Sequence, residues 1–223
     1  MQKIQVYAVH PDPNLLSREL PIAPVRLSAL LSLTHPGARL RSITSELLLC
    51  WAVRKLHPMG IPIPPVRQNG PYGKPYLPEN PEFQFSISHS HDWVILAIAN
   101  IPIGVDLERR GVNEPQIVRR CFHQAEQEFF FSLPENAQSA AFYDMWVLKE
   151  SAVKALGTGM HLPFHSFSVS LNPLSISGFP EHAQLSLPTF CDLSYHLGVC
   201  ALTEEPLFIT CEAISSQELL FTS

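Results

Sequence analysis

The opening segment, MQKIQVYAVH, alternates apolar and polar positions and places Ile4, Val6 and Ala8 on one side, which predicts a strand. Between Pro21 and Leu56 the period lengthens. Leu40, Ile43, Leu47, Cys50 and Arg54, with Trp51 beside Cys50, recur at helical spacing. From Pro58 to Pro81 prolines and glycines interrupt every period, and the stretch reads as a long loop. FQFSIS and WVILAIA then read as strands joined by the polar HSHD. PIGVDLE reads as a third after the bend at Asn100 to Pro102, giving a three-stranded meander.

Pro115, suited to a first helical position, opens a helix through Ile117, Val118 and Cys121, and a second helical run holds Glu126, Phe129 and Phe130. Ala141, Met145, Leu148, Ala152 and Leu156 recur at spacings of three and four, a single apolar stripe, and Gly157 is a natural helix stop. After it FSVSL, LSISGF, the stretch around YHLGVCAL and PLFITCEAI read as short strands. Helix and strand are thus mixed in both halves of the chain, an α+β pattern. The residues themselves carry no repeat that relates one half to the other.

With 46% hydrophobic and only 16% charged residues spread along 223 positions, the chain is expected to fold rather than stay disordered. A net charge of -5 argues against bulk binding to nucleic acid. Five cysteines without a C-x-x-C pair support neither a disulfide framework nor a zinc knuckle, and fit a reducing cytoplasm. The start lacks the charge and apolar run of a signal peptide. The longest apolar stretch, Val94 to Val105, is too short to span a bilayer, so no membrane partner is expected.

The chemistry concentrates in two places. Strand alternation in GVDLE turns Val105 and Leu107 one way and projects Asp106 and Glu108 together on the other. Two neighbouring carboxylates repel unless a cation neutralises them, and an all-oxygen pair suits Mg²⁺ or Mn²⁺; a solvated strand end is the plainer alternative. On the long helix Trp146, Glu150 and Lys154 stack at i, i+4 and i+8 opposite the apolar stripe, either as a site or as an exposed ion pair. A large aromatic on that face calls for cover. His89, in SISHSHD, ends a strand where serines and turn amides suit an anion, or is a capped turn histidine. Lys74, in YGKP, reads most simply as an exposed turn lysine. Signatures of nucleophile-elbow hydrolases, P-loops, zincins and dinucleotide folds are missing from the sequence.

Taken in order, YGKPY (72–76), FSISHS (85–90), IGVDLE (103–108) and WVLKESAVKALGTG (146–159) resemble the signature of the Sfp-type 4'-phosphopantetheinyl transferases. The resemblance runs from about Arg41 to the FSVSL strand. It implies a pseudodimer of two similar α/β halves, residues 1–101 with the nucleotide-side contacts and residues 102–223 with the metal and catalytic residues, acting as a monomer. It also implies transfer of the phosphopantetheine arm from coenzyme A to a serine of an acyl or peptidyl carrier protein, whether of a fatty-acid, polyketide or nonribosomal-peptide synthase. Asp106, Glu108 and Glu150 resemble the magnesium ligands, with Glu150 and Lys154 as catalytic groups. Lys154, Asp106, Ser88 and His89 resemble contacts to the nucleotide phosphates. Tyr72, Gly73, Lys74 and Pro75 resemble the loop over the adenine, and Arg41 with Ser42 aligns with a 3'-phosphate grip. Alternatives are a non-catalytic module of the same fold that binds coenzyme A or a carrier, and another Mg²⁺-dependent enzyme acting on a pyrophosphate.

Overall fold

The structure is a computed structural model that describes residues 1–56, 60–112 and 114–220. In β1 (Gln2–Val9) the alternation is apolar on both sides. Ile4, Val6 and Ala8 enter one buried cluster while Tyr7 and Val9 enter another, so the strand lies inside the molecule. Two helices follow, α1 (Pro24–Leu31) and α2 (Pro36–Leu56). Every residue of α2 from Ile43 to Val53 is buried, and the hydroxyls of Thr44 and Ser45 donate back to Leu40 O and Arg41 O at 2.8 Å. Buried hydroxyls are thereby satisfied within the helix.

The first residues of the loop expected from Pro58 lie outside the described ones. Farther along it the chain makes a small antiparallel pair, β2 (Gln68–Asn69) with β3 (Pro75–Tyr76), turned through Gly73 at a φ of 89°. Next, β4 (Gln84–Ser90) and β5 (Trp93–Ala99) form a hairpin around His91, whose φ is 47°. The three-stranded meander does not form. β5 already has β4 on one edge and β1 on the other, so β6 (Ile103–Arg109) has no free edge to join there. The bend at Asn100 to Pro102 carries β6 into a second sheet.

After β6 come α3 (Pro115–Cys121), α4 (Gln124–Ser132) and α5 (Glu135–Leu156), the last stopped by Gly157 in a left-handed conformation at φ 79°. The strands β7 (Ser168–Leu171), β8 (Leu174–Ser177), β9 (Gln184–Ser186), β10 (Tyr195–Ala201) and β11 (Leu207–Ile214) complete the chain. One sheet runs β11-β1-β5-β4, with β11 parallel to β1; the other runs β6-β10-β9.

The three apolar clusters fix the layers. Ile4, Val6, Ile95 and Ala97 meet Val105, Leu107, Leu197 and Val199 between the two sheets. Leu47, Leu48 and Trp51 of α2 cover the outer face of the first sheet. Met145, Leu148 and Ala152 of α5 pack with Phe122, Phe130, Phe164 and Phe167 outside the second. The chain therefore has two α/β halves, each a sheet with one long helix on its outer face, as the resemblance implied.

Candidate active site

Alternation in β6 sends Ile103, Val105 and Leu107 between the sheets and leaves Gly104, Asp106 and Glu108 facing α5. The helix lies close because both strands beneath it carry glycine. A Cβ on Gly104 would stand 1.9 Å from Ser151 O, and one on Gly198, the cross-strand partner of Asp106, 2.5 Å from Val147 O. That close approach sets Glu150 and Lys154 over the acidic strand.

Lys154 Nζ donates to Asp106 Oδ1 at 2.6 Å, and to Ser88 Oγ and Val105 O at 3.2 Å. It pairs with Asp106, so the alternative of an exposed Glu150–Lys154 pair is not the arrangement found. Ser88 gives its own proton to Asp106 Oδ1 at 2.8 Å, and Ser90 gives its proton to Glu108 Oε2 at 2.9 Å. Asp106 is 3% exposed and its Oδ2 is buried with no hydrogen-bond partner. The proton affinity of Glu150 is raised, by burial first, then by Asp106 and Glu108 against the opposing Lys154. That of Glu108 is raised by burial and then by Asp106, against the Ser90 hydroxyl and Lys154.

Among the described residues no group of three His, Cys, Asp or Glu side chains is already closed around one point. Three carboxylates with a single ammonium have no reason to converge further by themselves. A buried carboxylate oxygen without a partner, beside two carboxylates that resist ionisation, is nevertheless the donor set a hard divalent cation satisfies. The residues fit Mg²⁺ or Mn²⁺.

These side chains line a cleft of about 420 Å³, with Trp146 and Ser42 in its wall and His89 on its rim. The cover that Trp146 calls for comes from Phe122, Phe142 and Phe164, with centroids 5.5 to 6.4 Å away. Across the cleft Glu46 accepts from Arg26 at 2.8 Å and Arg67 at 2.7 Å. Arg41 donates to His91 O at 3.4 Å and keeps its Nε buried without a partner. An adjoining cavity of about 250 Å³ is bordered by Tyr72, Gly73, Pro75 and Gly157. Lys74 is not the exposed turn residue expected. Its ammonium turns inward to Ile103 O at 3.0 Å and Ala155 O at 2.8 Å, and burial pulls its pKa down to about 8. The carbonyl of Ala155 belongs to the last turn of α5, the end a cation favours.

Arg67, Glu46 and Ser90 were not singled out by sequence reasoning. Arg67 lies in the proline-broken stretch where no period assigns it a face. Glu46 is the one carboxylate of α2, set between Ser45 and an apolar run, with no motif to mark it. Ser90 had a readable signal, since Ser86, Ser88 and Ser90 alternate along one strand and share a face.

The sequence matches the 4'-phosphopantetheinyl transferase superfamily over residues 102–200. It is 37% identical over 154 residues to the 4'-phosphopantetheinyl transferase Sfp of Bacillus subtilis (strain 168), covering 67% of this chain and 68% of that one. It is 40% identical over 101 residues to the 4'-phosphopantetheinyl transferase gsp of Aneurinibacillus migulanus, covering 45% of this chain and 42% of the relative. To psf-1 of Bacillus pumilus it is 32% identical over 153 residues, covering 65% and 66%. The matched regions thus span from about two fifths to about two thirds of these relatives.

Proposed function

Because the chain belongs to the Sfp-type 4'-phosphopantetheinyl transferases, we propose that it moves the 4'-phosphopantetheine arm of coenzyme A onto a serine of an acyl or peptidyl carrier protein. The observation that carries this reading is the meeting of Asp106, Glu108, Glu150 and Lys154 in one cleft, next to a cavity bounded by the Tyr72–Pro75 loop.

In this reading Asp106, Glu108 and Glu150 hold Mg²⁺, with Mn²⁺ as a substitute. A cation held there would supply charge neutralisation and polarisation at the pyrophosphate of coenzyme A. Lys154, held in place by Asp106 and Val105 O, supplies positive charge where the leaving 3',5'-ADP gains negative charge. Glu150, directly or through a water, takes the proton of the attacking serine. Such a role contributes about 10²- to 10⁴-fold. His89 and Ser88 border the phosphates. Arg41, whose buried Nε lacks an acceptor, grips the 3'-phosphate beside Ser42. Tyr72, Gly73, Lys74 and Pro75 frame the base, with Lys74 tying that loop to β6 and α5.

Residues 1–101 then supply the nucleotide side and residues 102–223 the metal and catalytic side of a monomer acting in the cytoplasm. No nucleic acid or membrane takes part, and among the described residues no helix is long and apolar enough to cross a bilayer. The carrier is acidic and docks at exposed Arg119 and Arg120, beside exposed Phe131. The guanidinium of Arg119 lies 4.1 Å from the centre of the Phe131 ring.

Asp106→Ala tests the assignment. The variant should fold and transfer nothing. An active variant removes Asp106 from the chemistry.

A further inference from the structure

β6 and β4 belong to different sheets, yet they run alongside each other, joined by side chains. β6 has a backbone partner, β10, on one edge only. On the other edge Val105 N donates to Ser86 Oγ at 3.1 Å, Leu107 N to Ser88 Oγ at 3.4 Å and Arg109 N to Ser90 Oγ at 3.2 Å. Three buried hydroxyls, each no more than 7% exposed, replace the carbonyls of a missing strand and satisfy amides that would otherwise be buried without acceptors.

A hydroxyl that accepts from an amide still has one proton to give. At the first rung the neighbouring β6 position is Gly104, which has no side chain to receive it. At the second it is Asp106, and at the third Glu108, each accepting its serine at 2.8 and 2.9 Å. Asp106 is also held by Lys154. Glu108 takes its hydrogen bond from the Ser90 hydroxyl.

We propose that Ser90 is a positioning residue for Glu108: its hydroxyl, anchored by the Arg109 amide, fixes the direction in which that carboxylate meets a divalent cation. This rests on the reading of Asp106, Glu108 and Glu150 as the cation's ligands. Ser90 touches neither substrate nor cation and acts through Glu108.

The test is Mn²⁺ binding in the presence of coenzyme A, followed by electron paramagnetic resonance of the free ion, on wild type, Ser90→Ala, Ser90→Thr and Ser86→Ala. Ser86→Ala removes the same kind of amide acceptor without a carboxylate attached, so it reports the purely structural loss. Removing a hydrogen-bond partner of a metal ligand typically weakens metal binding about 10- to 100-fold. Ser90→Ala should fall in that range, while Ser90→Thr and Ser86→Ala stay near wild type. Should Ser90→Ala not fold, Ser90→Cys, a weaker donor of similar size, should bind Mn²⁺ less tightly than wild type. Equal binding by wild type and the folded Ser90 variant, or an equal loss in Ser86→Ala, overturns the positioning role alone. A wild type that takes up no Mn²⁺ overturns the ligand assignment, and this inference with it.

Discussion

Replacing Lys149 by methionine keeps most of the side-chain length and removes the charge against which Glu126 is buried. The two side chains are 0% and 1% exposed, and Lys149 Nζ donates to Glu126 Oε1 at 2.7 Å and to Phe167 O at 2.8 Å. Glu126 also accepts from Val169 N at 2.7 Å and His123 N at 2.8 Å, so this one carboxylate ties α4, α5 and β7 together. The ammonium lies 4.1 Å from the centre of the Phe167 ring. Desolvation lowers its proton affinity and Glu126 restores part of it. Breaking such a pair from one side costs about 3–5 kcal/mol, against roughly 0–1 kcal/mol for an exposed pair. At about 2–4 °C per kcal/mol for a chain of this size, the melting temperature should fall by roughly 6–20 °C. Urea unfolding followed by tryptophan fluorescence measures the free-energy loss, and a thermal melt the shift. Lys149→Met with Glu126→Gln should recover part of the loss, because no uncompensated carboxylate remains. A loss below about 1 kcal/mol in the single variant, or no recovery in the double, refutes the buried-pair reasoning.

Three further outcomes follow from the geometry. Gly104→Ala must push α5 away from β6, so it should cost about 1–3 kcal/mol or more and reduce Mn²⁺ binding; unfolding and Mn²⁺ titrations on one preparation check both. For Lys74, the unfolded chain keeps its proton to about pH 10.5 while the folded chain releases it at about 8. Between those values the unfolded state binds more protons. The stability of wild type relative to Lys74→Met should therefore rise with pH, by at most about 1.4 kcal/mol per unit, and pH-dependent urea midpoints showing a flat or falling difference would contradict it. Arg119→Glu should raise the apparent KM for an acidic carrier with kcat little changed, and an unchanged KM removes Arg119 from the interface.

What was legible in the sequence was what is local. The stripe from Ala141 to Leu156, Gly157 at its end, and the alternation that pairs Asp106 with Glu108 depend on neighbours within a few residues, and the structure keeps all three. The partner of β6 was misjudged because pairing to β10 spans some ninety residues, and no local period reports that β5 is already flanked on both edges. Lys74 was misread for a related reason. Its acceptors, Ile103 O and Ala155 O, come from a strand and a helix far along the chain, so a turn context pointed to solvent. The pairing of Glu126 with Lys149 is also nonlocal, 23 residues apart, and each charge taken alone reads as surface. The resemblance adds what spacing could not supply, the tertiary meeting of β6 with α5.

The central claim is best tested by intact-mass spectrometry of an apo acyl or peptidyl carrier protein incubated with this protein, coenzyme A and Mg²⁺, beside a reaction containing EDTA. The account predicts that the carrier gains the mass of one phosphopantetheine, and that EDTA abolishes the gain. Unmodified carriers of every type tried, with coenzyme A binding intact, would contradict transfer and leave a module that only binds.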